Sequence, residues 1–409
     1  MSTTLTHSKP KALVPQLRFS EFDGSWEKKK LGDVGKVKMC KRIFSNQTTE
    51  YGDIPFFKIG TFGKEADAYI SEELYNEFRS KYSFPKIGDI LMSASGTLGR
   101  TVIYDGMDAY FQDSNIVWID NKEELITNKF LYYIYQIVRY DSEGGTIQRL
   151  YNGIINAAKF TKPSLPEQQK IAAFLSAVDD KIQQLSRKKA LLEQYKKGVM
   201  QQIFSQKIRF KDEDGNDFPD WEEKKLSHYI KVSKKKNEDL IYNKSDVLSV
   251  SGEFGIVNQI EFQGRSFAGA SVHNYGLVET GNIVYTKSPL KSNPYGIIKV
   301  NKGSAGIVST LYAVYKCKPN LDGRYLDYYF QLDDNTNRYL RPLVQKGSKN
   351  DMKINNEKVL IDPILIPPIE QQIKIIELIE SFDLKINNAN EQLKKAQEFK
   401  KGLLQQLFV

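Results

Sequence analysis

The sequence predicts an α+β protein built as a tandem duplication: a strand-and-helix domain, a long helix, a second such domain and a second long helix. Three observations predict it. A segment of about forty residues recurs with matching end motifs, each copy carries an apolar seam of coiled-coil spacing, and the stretches ahead of the two copies are β-rich.

The first copy opens at Glu167-Gln168-Gln169 and closes on Lys196-Lys197-Gly198-Val199-Met200-Gln201-Gln202-Ile203-Phe204. The second opens at Glu370-Gln371-Gln372 and closes on Lys400-Lys401-Gly402-Leu403-Leu404-Gln405-Gln406-Leu407-Phe408. With the two Glu-Gln-Gln triplets matched, a one-residue insertion brings Asp179, Lys181 and Ile182 onto Asp383, Lys385 and Ile386. A shorter echo lies upstream of each copy: Leu17-Arg18-Phe19, Trp26-Glu27 and Lys29-Lys30-Leu31 return as Ile208-Arg209-Phe210, Trp221-Glu222 and Lys224-Lys225-Leu226.

Within the first copy, Ile171, Leu175, Val178, Ile182, Leu185, Leu192, Val199 and Ile203 follow an alternating 4-3 spacing, interrupted by Lys189 and Lys196. In the second, Ile375, Ile379, Phe382, Ile386, Ala389, Leu393, Ala396, Leu403 and Leu407 do the same, interrupted by Lys400. A repeat near 3.5 residues keeps one face toward a partner helix, so the shared phase and length point to mutual pairing. Polar seam residues such as these lysines can set register. Pro163 and Pro166, and Pro363, Pro367 and Pro368, mark where each helix starts, since proline cannot continue one.

Residues 28–160 and 223–365 are rich in Ile, Val, Tyr, Phe and Thr between Gly and Asn turns, as in Ile87-Gly88-Asp89-Ile90-Leu91-Met92 and Thr280-Gly281-Asn282-Ile283-Val284-Tyr285. Each also carries a helical stretch, beginning at Phe130-Leu131-Tyr132-Tyr133 and at Tyr325-Leu326-Asp327-Tyr328. The expected boundaries are 1–162, 163–206, 207–366 and 367–409. Outside such landmarks the halves diverge, which suggests two related readers with different targets.

Composition narrows the function. A net charge of +9 and a pI near 9.0 favour a polyanionic partner, although a basic soluble protein without one fits the same numbers. No apolar run reaches the ~20 residues of a membrane span, and Met1 to Pro15 lacks a secretory core. Cys40 and Cys317 stand far apart and read as free thiols. With His7, His228 and His273 scattered, no zinc site is expected.

Catalytic motifs are weak. Ser292-Asn293-Pro294-Tyr295 echoes the Asn/Asp-Pro-Pro-Tyr loop of amino-methyltransferases but lacks the second proline, and no methyl-donor glycine turn precedes it. Ser95-Gly96-Thr97-Leu98-Gly99-Arg100 and Gly252-Glu253-Phe254-Gly255 read as hairpin turns. Asp89 and Asp113 show no basic partner in the sequence of the kind a nuclease would have.

The whole pattern resembles the specificity subunits of type I restriction–modification systems. The resemblance rests on the domain–helix–domain–helix order, on Pro-Ser-Leu-Pro-Glu-Gln-Gln-Lys-Ile at 163–171 and Pro-Pro-Ile-Glu-Gln-Gln at 367–372, and on the Trp26–Leu31 and Trp221–Leu226 domain starts. It implies two target-recognition domains separated by two long antiparallel coiled-coil helices in pseudo-twofold relation. It also implies a bipartite, asymmetric target in double-stranded DNA, with two modification and two restriction subunits as partners. S-adenosylmethionine, ATP and Mg would belong to those subunits, with no cofactor in this chain, no membrane contact and a cytoplasmic bacterial or archaeal setting. Gln201-Gln202 and Gln405-Gln406 would then lie where the modification subunit touches the helices.

Base edges are read by fixed donors and acceptors, and phosphates attract cations and hydroxyls. The candidate DNA contacts in loops are therefore Lys58, Thr61, Ser93, Ser95, Thr97, Arg100, Gln112, Asn115, Gln148 and Arg149 in the first domain. In the second they are Lys287, Lys291, Ser292, Asn293, Gln345, Lys346, Lys349 and Asn350. The runs Lys28–Lys30 and Lys234–Lys236 could steer DNA or simply face water. A coiled-coil scaffold without a nucleic-acid role and a single-chain adenine methyltransferase are the rival readings.

Overall fold

The computed structural model describes residues 13–140, 149–346 and 352–409. The chain forms two compact units, Met1–Leu185 with Gln392–Val409, and Ser186–Glu391. Each unit thus joins one strand-rich domain to part of both long helices, Leu165–Phe204 and Ile369–Gln406. These helices run 40 and 38 residues, about 60 Å each at 1.5 Å per residue.

In the first unit, a four-stranded antiparallel sheet orders Gly35–Lys38, Ile116–Asn121, Ile90–Ser93 and Thr101–Ile103 from edge to edge. Strand Glu27–Lys30 pairs with Lys159–Lys162 and ties the domain's entry to its exit into the long helix. The helix Asn128–Ile137, capped by Thr127, buries Phe130, Leu131 and Ile134 against Ile171 and Leu175 of one long helix and Leu403, Leu407 and Phe408 of the other. Outside this frame, Tyr69–Ile70, Ile54–Phe57 and Tyr110–Phe111 form a second sheet beside helix Glu72–Lys81, with its own aromatic core around Phe62, Tyr75 and Trp118.

The second unit repeats the frame. Ile230–Val232, Tyr312–Cys317, Ile283–Thr286 and Ile298–Val300 take the same order, Glu222–Lys225 pairs with Pro363–Ile366, and helix Gly323–Tyr329 packs on Val199, Ile203, Ile375 and Ile379. Its outer part differs in kind: a hairpin of Leu248–Ser251 and Gly255–Asn258, and a separate pair of Gly276–Val278 and Gly306–Val308. The frame is shared and the outer parts are not.

The Gly-Asp-Ile and Gly-Asn-Ile echoes have a local cause. Gly88 and Gly281 hold φ values of 89° and 83°, a left-handed turn that glycine adopts without strain. The next side chain closes the turn, Asp89 accepting from Lys86 N at 2.8 Å and Asn282 from Glu279 N at 3.1 Å.

Side chains around the helix starts correct the match between the two copies. Glu167 accepts from the Trp26 indole at 3.3 Å, and Gln371 accepts from the Trp221 indole at 3.1 Å. Gln168 takes the amide of Thr127 and donates to the carbonyls of Leu125 and Pro163. Gln372 does the same with Asp322, Asn320 and Pro367. Glu167 therefore corresponds to Gln371, not Glu370, and the copies align without the insertion that matching the triplets required. The change of residue follows its surroundings. Arg18 binds Glu167 at 2.8 Å, whereas Arg209 turns to Asp220 at 3.0 Å and leaves a neutral acceptor sufficient.

The seam positions are buried or half-buried throughout, including Ile171, Leu175, Val178, Ile182, Leu185, Leu192, Val199, Ile375, Ile379, Phe382, Ile386, Leu393 and Leu403. In each unit the two helix segments run antiparallel and are pinned by the same polar group. Lys400 Nζ meets Asp179 at 2.7 Å in the first unit, and Lys196 Nζ meets Asp383 at 2.6 Å in the second. Tyr133 donates to the other Asp179 oxygen at 3.0 Å, and Tyr328 to that of Asp383 at 2.9 Å. Burial, reinforced by the adjacent carboxylate, raises both phenols, so they remain donors. Lys189 instead pairs along its own helix with Glu193 at 3.8 Å.

Two outcomes follow for stability. Lys196→Met should lower unfolding free energy by about 2 kcal/mol, because it strands a hydrogen-bonded carboxylate. A double-mutant cycle with Asp383→Asn should show positive coupling, and additive losses would mean that the pair is not an interaction. Tyr325 stands where the first unit has Phe130, and its hydroxyl is fully buried without a hydrogen-bond partner among the described residues. Tyr325→Phe should therefore leave thermal stability unchanged or raise it, by up to about 1 kcal/mol. A lower melting temperature would show the hydroxyl to be bonded.

Candidate nucleic-acid interface

Four loops of the first domain converge beside the open end of its framework sheet. Arg100 reaches across the gap, donating to the carbonyls of Phe62 at 2.9 Å and Ile59 at 3.3 Å while its guanidinium lies over the Phe62 ring. Gln112 accepts from Ile59 N at 2.9 Å, and Ser95 donates to Asn115 at 2.9 Å. Arg149 donates to Ser114 O at 3.1 Å and lies over Tyr151. The loops carrying Lys58 and Thr61, Ser93 to Arg100, Gln112 to Asn115, and Arg149 are thereby one cluster, although they come from four separate stretches of sequence.

Within that cluster the candidates differ in what they can offer. Ser93 is fully buried and closes its hairpin by donating to Thr97 O and accepting from Arg100 N. Thr61 bonds back to Lys58 in a turn, and Lys58 meets Asp67 at 2.9 Å. Thr97 is exposed at the hairpin tip between Gly96 and Gly99, both left-handed at φ of 67° and 74°. Arg42, absent from the candidates, meets Asp113 at 2.9 Å with its own side chain largely exposed. Asp113 thus does have a basic partner, which its sequence neighbourhood did not show. Among the described residues no group of His, Cys, Asp and Glu is placed to hold a metal ion.

In the second domain, Lys287, Lys291, Ser292 and Asn293 share one loop. Asn293 is buried, its amide donating to Asp333 at 3.0 Å while Ser292 donates to its oxygen at 3.0 Å. Asn337 adds a bond to Ser292 O at 2.9 Å. The amide of this Asn-Pro-Tyr sequence is therefore a loop anchor on helix Asp333–Leu340. Lys291 is exposed, and Lys287 is half-buried, its pKa lowered by desolvation. Gln345 and Lys346 form a short strand paired with Met352–Lys353. Gln148, Lys349 and Asn350 lie outside the described residues. Burial pushes the Cys40 and Cys317 thiols up to about 12 and about 11, so neither is a poised nucleophile.

The geometry defines a class of protein: a duplicated scaffold in which two like frames, held by paired helices, present two unlike loop sets. Residues 24–194 match the type I restriction modification DNA specificity domain. A type I restriction enzyme specificity subunit of Haemophilus influenzae is 63% identical over 146 residues, 36% of this chain and 38% of that protein. That match spans well under half of the relative's length. The MjaX specificity subunit of Methanocaldococcus jannaschii is 22% identical, covering 94% of this chain and 93% of its own.

Two solved structures share the fold at 15% identity. The S subunit of a type I restriction–modification system from M. genitalium has a TM-score of 0.53, over 97% of this chain and 99% of that one. A chain from a structure of type I restriction–modification complex assembly and conformational transition has a TM-score of 0.52, over 93% and 96%. The chain thus shares its fold with these S subunits, and residues 24–194 are similar to the type I restriction modification DNA specificity domain. No helix among the described residues is long and apolar enough to cross a membrane.

Proposed function

We propose that this chain is the non-catalytic, DNA-reading subunit of a type I restriction–modification complex, with one half-site read by each domain. The observation that carries the reading is the pairing of a repeated frame with unlike outer parts. A shared frame lets each domain meet duplex DNA in the same manner, while unlike loops demand unlike bases. The target is accordingly bipartite and asymmetric. Exposed Thr97 and Lys291, with Arg42 and Arg149 at the first cluster, are the side chains best placed to meet it. The net charge of +9 supports the phosphate component of binding.

On the same reading, two modification subunits dock on the helices and bring S-adenosylmethionine, and two restriction subunits bring ATP and Mg chemistry. The chain itself supplies recognition and transfers nothing. Exchange of residues 223–365 for the corresponding segment of a relative tests it. One half of the methylated motif should change and the other half persist; simultaneous change of both halves, or of neither, would contradict the two-reader scheme.

A further inference from the structure

The same connection carries candidate readers in both units, the link between the third and fourth strands of the framework sheet. In the first unit it joins Ile90–Ser93 to Thr101–Ile103, and in the second Ile283–Thr286 to Ile298–Val300. Each link has an exposed tip, Thr97 in one and Lys291 with Ser292 in the other. Each also holds a residue of the type that reads guanine or adenine, Arg100 and Asn293, but neither faces outward as a reader. A bidentate reader presents two free groups to a base edge. Both terminal nitrogens of Arg100 donate to main-chain carbonyls, of Phe62 at 2.9 Å and Ile59 at 3.3 Å, and its Nε is buried without a hydrogen-bond partner among the described residues. Asn293 is 5% exposed, its amide nitrogen on Asp333 and its oxygen on Ser292, both at 3.0 Å.

Each side chain instead ties its tip to a stretch distant in sequence. Arg100 bonds the foot of the Thr97 hairpin to the turn at 59–62, and Gln112 steadies that turn by accepting from Ile59 N at 2.9 Å. A Cβ on Gly96 would stand 3.8 Å from the Ile59 side chain, so the turn also backs the tip itself. Asn293 fastens the Lys291 loop to the start of helix Asp333–Leu340, and Asn337 of that helix donates to Ser292 O at 2.9 Å. Side chains that recognise a ligand must be held to within about 0.5 Å, which a loop tip achieves only when braced.

We infer that Arg100 and Asn293 are positioning residues, one for each half-site, which set the base preference of their own domain without touching DNA. The inference rests on the proposed function and deepens it. The two braces are unlike, an arginine on carbonyls and an amide on a carboxylate, and each acts on one reader alone.

The test uses the full-length chain assembled with the modification subunit. Amplified genomic DNA, which carries no methylation, is treated with the complex and S-adenosylmethionine and read base by base, alongside melting of each variant. The unaltered complex should mark one motif of two half-sites. Arg100→Met and Arg100→Lys should each flatten base preference in one half-site by about tenfold or more, and Asn293→Ala should do so in the other. Lysine keeps the charge but loses the planar fork, so it should restore nothing. Restored preference with lysine, or a shallower salt dependence of non-specific duplex binding by Arg100→Met, would make Arg100 a phosphate contact and overturn the inference. A variant that melts lower yet keeps every base preference shows a brace for stability alone and overturns it too, as does flattening of both half-sites together. Where Arg100→Met or Asn293→Ala fails to assemble, Gln112→Leu and Asn337→Ala cut the neighbouring ties and should flatten the same half-sites to a lesser degree; unchanged preference in them overturns the inference. If the unaltered complex shows no base preference, the proposed function itself fails.

Discussion

A lysine from one helical copy reaching the aspartate of the other, with a domain tyrosine on the same carboxylate, is the contact on which both units depend. Lys196, Asp383 and Tyr328 make it in one unit, and Lys400, Asp179 and Tyr133 in the other. An apolar seam alone is indifferent to a slide by one heptad. A charged group largely withdrawn from water is not, since any other register leaves it unpaired. The tyrosine extends the same demand from the helix pair to the domain packed on it. Each copy contributes one lysine and one aspartate, so both pairs form when the copies meet in antiparallel sense.

Much of this was legible in the sequence, for a physical reason. A seam that must stay buried along some forty residues repeats its pattern often enough to be counted, and a duplicated seam can be compared with itself. The Glu-Gln-Gln triplet misled because a run of like amides permits a slip of one. Only the partners, Trp26 and Trp221, show that Gln371 does the work of Glu167. The strand-rich character of the domains was visible in composition. Their outer topology was not, since strands of two to four residues, such as Tyr69–Ile70 and Leu248–Ser251, carry too few side chains to set a period.

The candidate interface divides along the same line. Residue type and loop position selected side chains that the fold does gather, above all around Arg100, Gln112 and Asn115. Type alone could not separate a polar group that faces water from one that closes a turn, and Ser93 and Asn293 are of the second kind. Nor could it pair Arg42 with Asp113, which only the fold brings together. Among the described residues, what remains outward differs between the two loop sets, in keeping with the proposal of two independent readers.

The claim that two unlike readers share one scaffold meets its most direct test in the host genome. Methylation mapped base by base, with and without this chain, should lose one motif of two unlike half-sites separated by unspecified bases. Retention of every motif, or loss of a single palindromic one, would contradict the account.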